Sequence, residues 1–216
     1  MSTANLPHRF ELPKGTPPEL IAMIEATARD AFNQYGAAAF EMSREAALAH
    51  EAGHTIVMAH EGVTVQSVRI FSRSIPIFGT VWGGWCAVDN GEGWPVGPDT
   101  SAEHDISVAR ITIGGLAGEA CYGLDKPASS LDELAVSQMI GMMVAKKLAD
   151  HELTSAEEQR EYAEPLWHER VWDVAVKIIR NNHAPFMRLV EHLYLYERIN
   201  GSKLRSVLKQ VRRIAA

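Results

Sequence analysis

Cysteine is nearly absent from this sequence, with two in 216 residues. Cys86 and Cys121 stand in unrelated contexts with no C-x-x-C spacing, which argues against a disulfide framework and a cysteine zinc site and points to reduced thiols in a cytoplasmic protein. Also missing are a basic N-terminal segment followed by an apolar run and any apolar stretch of the roughly 20 residues that a bilayer span needs. The expectation is therefore a chain without signal peptide or membrane span. No G-x-x-x-x-G-K-[ST] loop occurs, so no Walker-type ATP site is expected. An excess of positive charge is lacking as well: 21 Lys and Arg against 27 Asp and Glu give a net charge of −6 and a pI near 5.8. That removes the electrostatic reason to expect nucleic acid or an anionic membrane as partner. The basic residues Lys203, Arg205, Lys209, Arg212 and Arg213 spread along a C-terminal helix and read as a solvated face.

What is present centres on Ser43 to Gly62, SREAALAHEAGHTIVMAHEG, which sets His50, Glu51 and His54 in the order H-E-x-x-H within a helical pattern. Four helical steps turn through about 400°, or roughly 40° net, and rise about 6 Å, so both imidazoles leave one face and can share a metal ion. Glu51 sits about 100° round from His50, off the ligand line yet beside the metal's open position, where a carboxylate can take a proton from water. Two imidazoles, an open position and a neighbouring carboxylate are the parts of a zinc hydrolase. The surrounding residues Ala46, Ala47, Leu48, Ala49, Ala52, Ile56, Val57 and Met58 are apolar, so the polar three point inward, where unpaired charge is costly. Ser43 is a suitable N-cap with Glu45 in the first turn. Gly53 costs the helix roughly 1 kcal/mol against Ala and signals close approach of another backbone.

Residues 1 to 17, with Pro7, Pro13, Gly15 and Pro17, read as an extended arm, and Leu20 to Tyr35 as a first helix ending at Gly36. The division expected is residues 1–40 as N-terminal arm and helix and residues 41–216 as one domain. After the motif helix, Val63 to Val88 is β-branched and aromatic, broken by Ser72, Ser74, Pro76 and Gly79, and reads as two or three short strands. Asp89 to Thr100, rich in Gly, Pro and Asp, reads as a surface loop. Capping boxes at Thr100 with Glu103, Ser130 with Glu133 and Thr154 with Glu157 open three helices. Pro165 imposes a break or a fresh first turn, and Pro185 and Gly201 introduce two more helices. The fold class expected is mainly α (α+β), with a small β-sheet after the H-E-x-x-H helix and a C-terminal helical bundle.

A third protein ligand is needed. His60 has the spacing of H-E-x-x-H-x-x-G-x-x-H, but Val57 stands where that pattern needs a helix-breaking glycine. On a continuous helix His60 lies roughly 15 Å along the axis from His50 and cannot join it. Glu119, in GGLAGEACYG, and Asp132, in the first turn of the Ser130 helix where the backbone dipole favours an anion, are both candidates, and spacing does not separate them.

HEAGH followed by a strand pair, then ITIGGLAGEACYG, then SSLDELAVSQMIGMMV, resembles the peptidase domain of the membrane-anchored AAA+ zinc proteases of the FtsH type, from about Arg44 to the C-terminus. The resemblance implies zinc held by His50, His54 and Asp132, with Glu51 as catalytic base. It implies that Gly114, Gly115, Ala117 and Glu119 belong to a helix packed beside the site, and that the segment Ile77 to Gly83, in the FGTVWGG stretch, lies where substrate adds as an extra strand. It also implies a ring of copies. The chain departs from the family in two respects: residues 1–40 are too short for an ATPase module or membrane helices, and Asp132 is followed by Glu133 where the family's aspartate directly precedes leucine.

The function expected is zinc-dependent hydrolysis of peptide bonds in unfolded or flexible polypeptide, alone or with an ATPase that unfolds substrates in trans. The alternative is a non-catalytic zinc-binding module of peptidase fold that binds a protein partner.

Overall fold

The computed structural model describes residues 42–75, 79–89, 95–124, 131–149, 153 and 155–214, together with positions 22, 25, 26, 29 and 33. The expected N-terminal arm lies outside these residues, as do Phe78, Ser130 and Thr154. Of the expected first helix the five positions named are described, and they are helical and exposed.

Helix α1 spans Arg44–His60 and begins as its sequence dictates: Ser43 is extended, and its hydroxyl accepts from the Ala46 N–H at 3.1 Å. Strands β1 (Val65–Ile75) and β2 (Gly79–Val88) form an antiparallel hairpin, and α2 (Ala102–Tyr122) and α3 (Leu131–Leu148) follow. Then come α4 (Ala156–Trp167), a π-helical turn (His168–Trp172), α5 (Asp173–Asn181), α6 (His183–Tyr196), β3 (Arg198–Asn200) and α7 (Gly201–Leu208). The sheet order is β2-β1-β3. The protein is thus mainly α with one small antiparallel sheet. Among the described residues no helix is long and apolar enough to cross a membrane.

Helices α1 and α2 carry the core. Leu48, Ile56, Ile106 and Ile113 are at most 1% exposed, and burying each such side chain stabilises the fold by about 1.5–3 kcal/mol. The two helices meet at glycines. A Cβ on Gly118 would stand 2.4 Å from the Ala49 carbonyl oxygen and 2.8 Å from the Gly53 Cα. One on Gly53 would stand 2.3 Å from the Gly114 carbonyl oxygen. The close approach that Gly53 signalled is therefore real, and its partners are Gly114 and Gly118. Gly118→Ala is expected to lower the unfolding free energy by about 1–3 kcal/mol, because rigid backbone on both sides leaves no low-energy relaxation. A denaturant midpoint equal to that of the parent protein would contradict this crossing.

Ser137 pins three helices together: its hydroxyl donates to the Ala109 carbonyl at 3.0 Å and accepts from the Trp167 indole N–H at 2.9 Å. Pro165 does not break α4. It sits inside the helix, and three residues after it the chain widens into the π turn, whose Arg170 carbonyl accepts from the buried Arg110 at 2.8 Å. Two caps fall one residue later than expected. Ser101 caps α2 and Ser155 caps α4, while the Thr100 hydroxyl donates to the Gly97 carbonyl at 2.8 Å. Strand β3, not foreseen, follows Glu197, which ends α6 at φ 56 and whose carbonyl accepts from the Ile70 N–H at 2.9 Å.

Candidate metal centre

Helix α1 sets His50 and His54 one turn apart, with their Nε2 atoms 3.0 Å apart. Glu133, in the first turn of α3, brings Oε1 to 3.3 Å from His50 Nε2 and 3.1 Å from His54 Nε2. Among the described residues, His50, His54 and Glu133 form a group that could hold a metal ion.

The far side of each ring is fixed by α2. His50 Nδ1 lies 2.8 Å from Oε1 of the buried Glu119, and His54 Nδ1 lies 2.9 Å from the Ile111 carbonyl oxygen. The Ile111 carbonyl can only accept, as does the Glu119 carboxylate, so a neutral ring carries its hydrogen on Nδ1 and turns the lone pair of Nε2 toward Glu133. A Cβ at Gly115 would come within 2.3 Å of the His50 ring, so this residue must be glycine for the imidazole to occupy its place.

Three acceptor atoms therefore converge within 3.3 Å, and the second carboxylate oxygen of Glu133 is buried without a hydrogen-bond partner. Acceptors gathered this way call for a cation among them. The spacing suits a metal, since tetrahedral bonds of about 2.0–2.1 Å place ligand atoms about 3.3 Å apart. The residues present thus fit a metal ion. Proton affinities report the same field. Burial pulls the His50 imidazole down, yet the Glu133 charge and the bonds to Glu119 and Glu133 outweigh it and hold the ring well above its ordinary value. Burial likewise opposes a proton on His54, and Glu133 again raises it. Burial would raise Glu133, but the two imidazoles hold its carboxyl far below the usual carboxylate range.

Glu51 is buried at 6% exposure beside this group but outside it. Its side chain lies under β2: a Cβ on Gly84 would stand 2.2 Å from the Glu51 Cγ, and the Cys86 thiol donates to Glu51 Oε2 at 3.1 Å. Burial lifts the Glu51 carboxyl above its ordinary value despite the nearby imidazoles and the thiol, so it holds a proton more readily than an exposed glutamate. Glu51, His54 and Met58 of α1, Glu133 of α3 and residues 84–86 of β2 line an open cleft.

Strand β2 is an outer strand of the sheet. Its Trp82 N–H points away from β1 and donates to the Met42 carbonyl at 3.1 Å. By the alternation of a strand, Gly84 and Cys86 turn their backbone groups to the same outer side, at the cleft. Gly79 to Gly83 of the expected substrate-binding segment thus lie in an edge strand, and Gly84, next in that strand, lies at the cleft.

Asp132, expected as the metal ligand from the family resemblance, is not in the group that could hold a metal. Burial and the neighbouring Glu133 charge raise its carboxyl, while the first N–H groups of α3 oppose this, which is the position of a carboxylate at a helix start. Glu119, the other candidate, orients His50 from behind. His60 is buried elsewhere and accepts from the Ile214 N–H at 3.0 Å. Glu133 was not among the sequence candidates, although one signal was present: it directly precedes Leu134, as the family's aspartate precedes leucine. Glu119→Gln keeps an acceptor against His50 but removes the charge. It is expected to weaken zinc binding by about 10–100-fold in a competition titration, with the fold retained.

No family model and no curated protein matches the chain.

Proposed function

We propose that this protein is a zinc-dependent peptidase that cleaves unfolded or flexible polypeptide, with the chemistry that its resemblance to the FtsH-type peptidases implies. The observation that carries this reading is the position of Glu51: a buried carboxylate beside a His50–His54–Glu133 group, in a cleft that the outer strand β2 also lines. Zinc bound by His50, His54 and Glu133 would polarise the scissile carbonyl and make water easier to deprotonate. Glu51 takes the proton of the attacking water and passes it to the leaving amine, a role favoured by its raised proton affinity. Gly84 and Cys86 hold the substrate backbone as an added strand, which requires that the segment be extended and free of its own fold. That is why flexible polypeptide is the substrate; a folded protein needs a separate unfolding ATPase first.

The test is cleavage of an unfolded casein-type substrate by purified protein, with bound metal measured in parallel. One zinc per chain, loss of cleavage with a chelator and recovery with added zinc are the results expected. Stoichiometric zinc without any cleavage would instead favour the non-catalytic module.

A further inference from the structure

The sheet has a second face, turned away from α1, and charge is gathered on it. Arg69 of β1 stands directly opposite Trp85 of β2 on one side and Arg198 of β3 on the other. Two arginines as direct cross-strand partners repel each other, an arrangement that costs stability unless an anion relieves it. Among the described residues, neither Arg69 nor Arg198 has a carboxylate partner. Arg69 lies over the rings of Trp85, at 5.9 Å, and Phe71, at 5.7 Å, and the Arg198 guanidinium lies 3.1 Å from the side-chain amide of Asn200, whose oxygen can turn to accept from it. In a chain of net charge −6, an uncompensated pair of guanidiniums is a local inversion of sign.

The pair is also connected to the chemistry. Arg69 and Arg198 line a surface depression together with Ser67, Ala87 and Trp85. Trp85 is 59% exposed and also lines the metal cleft. One indole therefore separates the cleft from the arginine pair.

We propose that this depression is an anion subsite of the same peptidase, which receives the side-chain carboxylate of an acidic residue in the polypeptide held at the metal cleft. The inference rests on the peptidase reading above and adds a substrate preference to it. Guanidinium forks match a carboxylate geometrically, and the indole covers the apolar stem of a glutamate. A nucleic acid would call for a run of cations along a backbone track; here a single opposed pair faces one ring, which fits a single carboxylate.

The experiment measures binding separately from cleavage. Zinc-loaded Glu51→Gln protein is titrated against fluorescein-labelled, C-terminally amidated, unstructured peptides that differ only in having Glu or Gln at one position, moved stepwise along the peptide. A position at which the Glu peptide binds about tenfold tighter is expected. Adding Arg69→Gln and Arg198→Gln should abolish that advantage and leave the affinity of the Gln peptide unchanged. Arg198→Gln alone should reduce the advantage, which keeps the test available if the double variant unfolds. Equal affinities at every position, or an advantage that survives both substitutions, would overturn the subsite. So would tighter binding of a free C-terminus in place of an acidic side chain, or of a single-stranded oligonucleotide through the same arginines. Cleavage is scored separately with the zinc-loaded parent protein. Failure to cut either peptide would sink the peptidase reading, while the affinity ratio still decides the subsite.

Discussion

Glu51→Gln is expected to lower the rate of polypeptide hydrolysis by about 10²–10⁴-fold, the contribution of a positioned general base, with zinc still bound. The substitution is nearly isosteric, so it fits under Gly84, where a Cβ would already stand 2.2 Å from the Glu51 Cγ. The glutamine carbonyl can still accept from the Cys86 thiol, which lies 3.1 Å from Glu51 Oε2. The metal-holding group of His50, His54 and Glu133 does not include this side chain. Zinc content and thermal midpoint should therefore match the parent while turnover collapses. Because Glu51 is buried and its carboxyl raised, loss of the charge should not destabilise the fold. Hydrolysis at the parent rate would show that another group takes the proton. Loss of zinc along with activity would place Glu51 among the ligands.

The second large effect separates two neighbours in sequence. Glu133→Gln should weaken zinc binding by about a thousand-fold: structural zinc sites bind with roughly 10–16 kcal/mol, and one of three protein ligands accounts for on the order of 4 kcal/mol. Asp132→Asn should leave zinc affinity within a few-fold of the parent and cost at most about 1 kcal/mol of stability, the value of a polar group at a helix start. Glu133 Oε1 is within 3.3 Å of both Nε2 atoms, whereas Asp132 is absent from the cluster. A competition titration with a chromogenic chelator reads both variants. The reverse ranking, with Asp132→Asn losing zinc and Glu133→Gln keeping it, would restore the ligand set that the family resemblance implied.

These neighbours show where the sequence stops being legible. His50, Glu51 and His54 could be placed because one helix fixes their relation, and the i, i+4 spacing needs no knowledge of the rest of the chain. Gly53 was readable for a similar reason: a glycine amid alanines in a helix needs a cause, and the backbone of α2 supplies it. The third ligand, which spacing left open between Asp132 and Glu119, was different, since the group instead contains Glu133. Adjacent residues on a helix diverge by about 100°, so its identity turns on how α3 approaches α1, which no local pattern encodes. Strand β3 has three residues, Arg198–Asn200, too few to show alternation. The π turn after Pro165 depends on a partner 60 positions away, Arg110, which bonds the Arg170 carbonyl. Thr100 lost the cap of α2 to Ser101 because its hydroxyl is engaged with Gly97 and Asp105.

The glycine crossing of α1 and α2 has an entropic consequence. His50, His54 and the groups behind them, Glu119 and the Ile111 carbonyl, all belong to these two helices, whose separation is set by backbone contact at Gly53 and Gly118. Both imidazoles are thus immobilised by the folding of the protein itself, and the rotamer freedom a bound ion would otherwise have to remove, of order 1 kcal/mol for each ring, is already spent. Metal capture at such a site resembles filling a rigid socket. Chelation should leave the α1–α2 pair folded, ready to take up the ion again without refolding.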